Sequence, residues 1–186
     1  MRDVQGIADE ITRAYGVPRV RVYVWTALTP GAAAGYAYRH DWVLIRPEVF
    51  TRDGIDVVLS HELGHVTLGH QPVYLDRQGA TWVQEEHERQ ANHRGVEILA
   101  RFRGVSQAEA LDRYATYLIL ANLYRQGRAI ALPPGHRPPC EQLRDLYTSF
   151  QQTAPPCEAF TDRPKITECP YDDWMSTGCK AGQRWR

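Results

Sequence analysis

The sequence predicts an α+β fold: a small three-stranded sheet packed on a mainly helical core, followed by an irregular Cys/Pro-rich C-terminal segment. Three observations lead there. Apolar residues recur at helical spacing over most of the chain. Strand-like patterning is confined to residues 19–46. All four cysteines and most of the prolines fall after residue 131.

Val4, Ile7, Ala8, Ile11 and Tyr15 mark a first helix over residues 3–15, ended by Gly16-Val17-Pro18. From Arg19 to Trp25, Val20, Val22 and Val24 alternate with Arg21, Tyr23 and Trp25, the pattern of a half-buried strand. Residues 35–39 and 42–46 read as two strands joined around His40-Asp41 in a short hairpin. A helix over 54–69 has Asp53 as N-cap, an apolar stripe of Ile55, Val58, Leu59, Leu63 and Val66, and Gly69 as its stop. Thr81 with Gln84, and Ser106 with Glu109, form capping boxes that open helices over 82–103 and from about 107 to 126. A proline-rich break at 132–139 precedes a short helix over 140–152, carrying Leu143, Leu146, Tyr147 and Phe150. The division expected is a domain over residues 1–131 and an extension over 132–186 that packs on it.

Composition excludes several classes of function. The chain of 186 residues balances 22 basic against 22 acidic side chains, so no basic footprint points to nucleic acid. No apolar run approaches the roughly 18 residues that a membrane span needs. Met1-Arg2-Asp3-Val4-Gln5 has no hydrophobic signal region, which makes the cytoplasm the expected location. Cys140, Cys157, Cys169 and Cys179 lack a C-x-x-C pair, so free thiols and disulfides both stay open for them.

The chemistry is concentrated in His61-Glu62-Leu63-Gly64-His65-Val66-Thr67-Leu68-Gly69-His70, which contains His-Glu-x-x-His. Four residues on an α-helix turn through about 400°, so His61 and His65 lie about 40° apart, one above the other. Both imidazoles can then reach one metal ion, and Glu62 beside them is placed to act as a general base on water. A catalytic zinc site needs a third protein ligand. His70 falls outside the H-E-x-x-H-x-x-G-x-x-H spacing, and on a continued helix it points about 140° away from His65. It reads as a polar residue at a helix end. The next long helix offers Glu85, Glu86, His87, Glu88 and His93; spacing leaves Glu85 and Glu88 open as the ligand, and Asn92 is placed to hydrogen-bond one.

His61-Glu62-x-x-His65, with Glu88-Arg89-Gln90-Ala91-Asn92 and Glu97-Ile98-Leu99 downstream, resembles the ImmA/IrrE-type metallopeptidases, which are compact gluzincins with a zincin-like core. Arg94 and Ala100-Arg101 depart from the family's second motif. The resemblance covers about residues 1–125 and implies one zinc ion held by His61, His65 and Glu88, with Glu62 as the catalytic base. It also implies cleavage of a specific protein partner, a helix-turn-helix repressor in such families. The expected activity is zinc-dependent endopeptidase, with a protein or peptide substrate laid as a strand on the sheet edge. Tyr74, His93, Tyr114 and Tyr117 are candidates for stabilising the oxyanion. The competing expectation is a non-catalytic, zinc-stabilised structural or interaction protein of a phage or mobile element. Its site would be closed by a fourth ligand, His70 or a tail cysteine.

Overall fold

The apolar stripe of the first stretch, Ile7, Ala8 and Ile11, is buried along a helix, α1 (Val4–Ala14). The structure is a computed structural model that describes residues 4–24, 35–38, 42–45, 52–70, 80–127 and 136–157. After α1 come β1 (Arg21–Val24), β2 (Gly35–Tyr38), β3 (Trp42–Ile45), α2 (Arg52–Leu68), α3 (Ala80–Arg103), α4 (Gln107–Gly127) and α5 (Pro139–Ser149). The fold is α+β and mainly helical. None of the described helices is long and apolar enough to cross a membrane.

The sheet has strand order β1-β3-β2. β1 runs parallel to β3, and β2 runs antiparallel to it, so the expected β2–β3 hairpin partners are in register from Gly35↔Ile45 to Tyr38↔Trp42. Alternation in the first strand holds where it is described: Val20 is fully buried and Tyr23 is exposed. The outer edge of β1 is not left open. The Gln5 carboxamide accepts from Val22 N at 2.9 Å and donates to Val20 O at 2.8 Å, imitating a short piece of partner strand.

Two clusters of buried residues make the core. The first joins α1, the sheet and α2 through Ile11, Val43, Ile45, Leu59 and Leu63. The second joins α3, α4 and α5 through Val96, Leu99, Leu111, Leu143 and Leu146. α2 serves both, because Val57 belongs to the second cluster while Val58, Leu59, Leu63 and Val66 belong to the first. Each such fully buried Leu or Val contributes roughly 1.5–3 kcal/mol relative to exposure. A helix buried on both sides is a rigid mount for functional side chains.

α2 and α3 form an antiparallel pair at very close range. A Cβ built on Gly64 would stand 2.8 Å from the backbone oxygen of Ala91. At the other end of the pair Arg103 forms a buried ion pair with Asp56, whose side chain is 3% exposed. Beyond α4 the chain returns through Pro138 into α5, which has proline in its first turn, where no helical N–H is needed. A disulfide joins Cys140 to Cys157 across the ends of this unit, which settles those two of the four cysteines. Cys169 and Cys179 lie outside the described residues.

Some helix ends differ from expectation. α2 begins at Arg52 and α3 at Ala80, so Asp53 and Thr81 lie inside the first turns. Ser106 does cap α4: its Oγ accepts from Glu109 N at 3.1 Å. The box is only half made, because the Glu109 carboxylate takes Arg113 at 2.7 Å. α5 stops at Ser149, with Phe150 as its C-cap and Gln151 turned to φ 56°.

Candidate metal centre

α2 carries His61, Glu62 and His65 on consecutive turns, and the close approach at Gly64 lets Glu88 of α3 reach them. His61 Nε2 lies 3.2 Å from His65 Nε2. Glu88 Oε2 lies 3.0 Å from His61 Nε2, and Glu88 Oε1 lies 3.4 Å from His65 Nε2. These three side chains form a group that can hold a metal ion. An ion bonded at about 2.0–2.1 Å in tetrahedral geometry needs its donors roughly 3.3–3.4 Å apart, close to the separations found here. Glu88 Oε2 is buried without a hydrogen bond of good geometry, although His61 Nε2 and His136 Nε2 stand 3.0 and 3.2 Å from it. A carboxylate oxygen left in that condition fits a cation, so the residues present suit a metal.

Both imidazoles are held from behind. His61 Nδ1 lies 3.0 Å from Asn92 Oδ1 and 2.9 Å from the Tyr114 hydroxyl, which itself donates to Asn92 Oδ1 at 2.9 Å. Asn92 Nδ2 in turn donates to Gln142 Oε1 of α5 at 3.2 Å. The Tyr114 ring reaches this far because it passes over Gly95, where a Cβ would meet it at 2.9 Å. His65 Nδ1 lies 3.0 Å from His70 Nδ1. In each ligand the proton belongs on Nδ1, which leaves both Nε2 lone pairs directed at Glu88.

Three acceptors this close repel one another unless a cation or a proton sits among them. Burial alone would lower the His61 pKa, but Glu88 and then Glu62 outweigh it and push it up to about 9. Burial would raise the Glu88 carboxyl, yet the His61 and His65 imidazoles hold it well below the usual carboxylate range. Without metal, His61 therefore takes the proton. Its folded-state value lies above the ordinary 6.5, so this proton stabilises the metal-free fold fully below pH 6.5. That stabilisation is lost as pH rises through about 9. Urea unfolding of metal-free protein at pH 6, 8 and 10 is expected to give falling midpoints, and added metal ion to flatten the trend.

Glu62 follows His61 directly on α2, is 6% exposed, and its charge is felt at both His61 and Tyr114. The structure thus brings together His61, Glu62, His65 and Glu88. It does not bring Glu85, which pairs with Arg137. Asn92, one turn after Glu88, holds His61. Of the oxyanion candidates, Tyr114 is committed to His61 Nδ1, its hydroxyl kept protonated by burial. His93 stacks on Phe150 at 4.3 Å, and Tyr117 packs against the core. Tyr74 lies outside the described residues.

Two residues at the site are not found by sequence reasoning, and a third is named by it but faced the wrong way. His136 and Gln142 arrive from the proline-rich break and the helix after it, and no local signal marks them. The third is His70, which faces away from His65 only on a continued helix. Instead α2 ends at Leu68, and Gly69 adopts φ 72°. Gly69 N bonds to Val66 O at 3.2 Å and His70 N to His65 O at 3.0 Å, a Schellman closure that folds His70 back along the helix. Gly69 is the sequence signal for this turn.

No family model, curated protein or solved structure matches the chain.

Proposed function

We propose that this protein is a zinc-dependent endopeptidase with a zincin-like core, of the gluzincin kind that the ImmA/IrrE resemblance implies. The observation that carries the reading is the triangle of His61, His65 and Glu88 at tetrahedral spacing, with the buried carboxylate of Glu62 next to it. Two histidines and one glutamate are a donor set of catalytic zinc, which keeps its fourth position for water or substrate. No fourth donor joins the group among the described residues. His70 is engaged with the back of His65, and Cys140 and Cys157 are bridged to each other. A structural site would need that fourth ligand.

Zinc, held by His61, His65 and Glu88, would supply Lewis acidity: it would lower the pKa of water towards about 7 and polarise a carbonyl group. Glu62 takes a proton from the attacking water molecule on its carboxylate and returns it to the nitrogen of the leaving amine. His136, whose Nε2 lies 3.2 Å from Glu88 Oε2, offers an imidazole N–H for the carbonyl oxygen as negative charge develops. The Asn92–Tyr114 pair keeps the His61 ring from rotating as the substrate arrives.

The substrate is a protein or peptide. A cleft of about 340 Å³ between α3 and α5 has Glu88 and Asn92 on its wall and Leu146 and Ser149 at its other side, room for one substrate side chain beside the metal. Since Gln5 covers the edge of β1, the edge that remains among the described residues for an added substrate strand is that of β2.

Zinc quantification paired with a cleavage assay on unfolded proteins and helix-turn-helix repressors tests the reading. Wild type and Glu62→Gln are expected to hold one zinc each, with cleavage in the variant lower by about 10²-fold or more. Equal cleavage by both would rule out Glu62 as the base. A wild-type chain without zinc would end the reading altogether.

A further inference from the structure

We propose that His70 is a positioning residue for the metal ligand His65, the head of a relay that runs through Gln90 to Glu86. The inference rests on the metal reading above and adds a residue that the His-Glu-x-x-His pattern does not contain.

The relay is legible from the polarity of its links. For His65 to bind metal through Nε2, its proton must sit on Nδ1. Among the described residues that N–H has one acceptor, His70 Nδ1, at 3.0 Å. The His70 proton is then on Nε2, which donates to Gln90 Oε1 at 3.0 Å. With its oxygen so used, Gln90 turns its nitrogen to Glu86 Oε1 at 2.7 Å. Glu86 is finally fixed by Arg89, whose Nε and Nη2 donate to its two oxygens at 2.7 and 2.6 Å. His70 and Gln90 each accept on one side and donate on the other, and Glu86 only accepts. Reversing any link would leave two donors or two acceptors face to face.

Geometry adds a second restraint. The His70 ring stacks on His87, with centroids 4.2 Å apart and planes 10° from parallel, so the acceptor nitrogen is held in direction as well as distance. Glu86, His87, Arg89 and Gln90 all belong to α3, the helix that supplies Glu88. The relay therefore refers the orientation of one ligand to the helix that carries another. An acceptor held on Nδ1 also makes His65 Nε2 a stronger donor to a cation. An ordinary polar residue at a helix end has no reason to join such a chain or to be turned back onto it by a left-handed Gly69.

The test uses the full chain and inorganic Zn²⁺ and Co²⁺, and needs no substrate. Zinc affinity is measured by competition with a chromophoric chelator, and ligand geometry by the visible spectrum of the Co²⁺ form. His70→Ala is expected to weaken zinc binding about 10- to 100-fold and to alter the Co²⁺ bands. His70→Asn, which sets a carbonyl oxygen near the place of Nδ1, is expected to recover most of the loss. Gln90→Leu, which leaves His70 in place but removes its acceptor, is expected to fall between. Thermal unfolding of the metal-free forms separates positioning from a structural role: the relay requires His70→Asn to outperform His70→Ala in zinc affinity at equal metal-free stability. If His70→Ala fails to fold, Gln90→Leu decides, and wild-type affinity and spectrum in that variant overturn the relay. Wild-type affinity in His70→Ala likewise overturns the relay and leaves the metal reading intact. A wild-type chain that binds no zinc overturns both.

Discussion

Gly64→Ala is expected to weaken metal binding by more than an order of magnitude while every ligand and the base stay in the sequence. Helix propensity alone predicts the opposite, a gain of about 1 kcal/mol for replacing a helical glycine by alanine. Packing decides the sign. The new Cβ would meet the Ala91 carbonyl oxygen at 2.8 Å and its Cα at 3.3 Å, and these are backbone atoms of a helix that cannot swing aside. α2 and α3 must separate, at a cost of about 1–3 kcal/mol for overpacking. The larger effect falls on the donors, because His61 and His65 sit on one helix and Glu88 on the other. Opening the gap between them pulls Glu88 away from imidazoles now 3.0 and 3.4 Å from it. Chelator competition should show zinc affinity reduced by more than an order of magnitude, with a lowered melting temperature in the metal-free protein. Unchanged affinity would mean that the two helices are not held at the distance found here.

Arg103→Ala is expected to be the most destabilising single change to a charged residue, by about 3–5 kcal/mol. Asp56 is almost wholly buried, and its second oxygen, Oδ1, has no other hydrogen bond. Removing the guanidinium leaves that carboxylate charged in a low-dielectric interior, or forces it to take a proton. Replacing both partners is a different experiment. Asp56→Leu combined with Arg103→Met removes the charges together and should recover most of the loss, since the pair itself contributes little net stability. Denaturant unfolding of the two single variants and the double variant measures the coupling. Single losses that simply add would show that the ion pair is not the cause.

Much of this molecule is legible in its sequence for reasons that are local. Helices announce themselves by apolar spacing, and their interiors agree with expectation even where the first turns do not. The differences at Asp53 and Thr81 have one form: a good capping residue suggests the boundary, while the helix begins just before it. His61, Glu62 and His65 are legible because their geometry needs only one helix. Glu88 is not separable from Glu85 by spacing, since both lie on one face of α3. What separates them is distant: Arg137, from beyond α4, draws Glu85 away. His136 and Gln142 are illegible for the same reason, being close in space and far in sequence. His70 is hidden by a conformational assumption, because a helix carried on past Gly69 faces it away, whereas the actual turn brings it back to His65.

The hydrogen bond from Asn92 to Gln142 joins the centre to α5, a unit closed by the Cys140–Cys157 bridge. Its consequence concerns portability. The donors come from a single helical hairpin, and a hairpin is easily transplanted into a designed host. Asn92 and His70 travel with it, but three other supports do not: Tyr114 is on α4, Gln142 on α5, and His136 on the stretch leading into α5. A graft of α2 and α3 would carry the recipe for binding an ion without the scaffolding that makes the binding selective, and a host would have to supply three more walls.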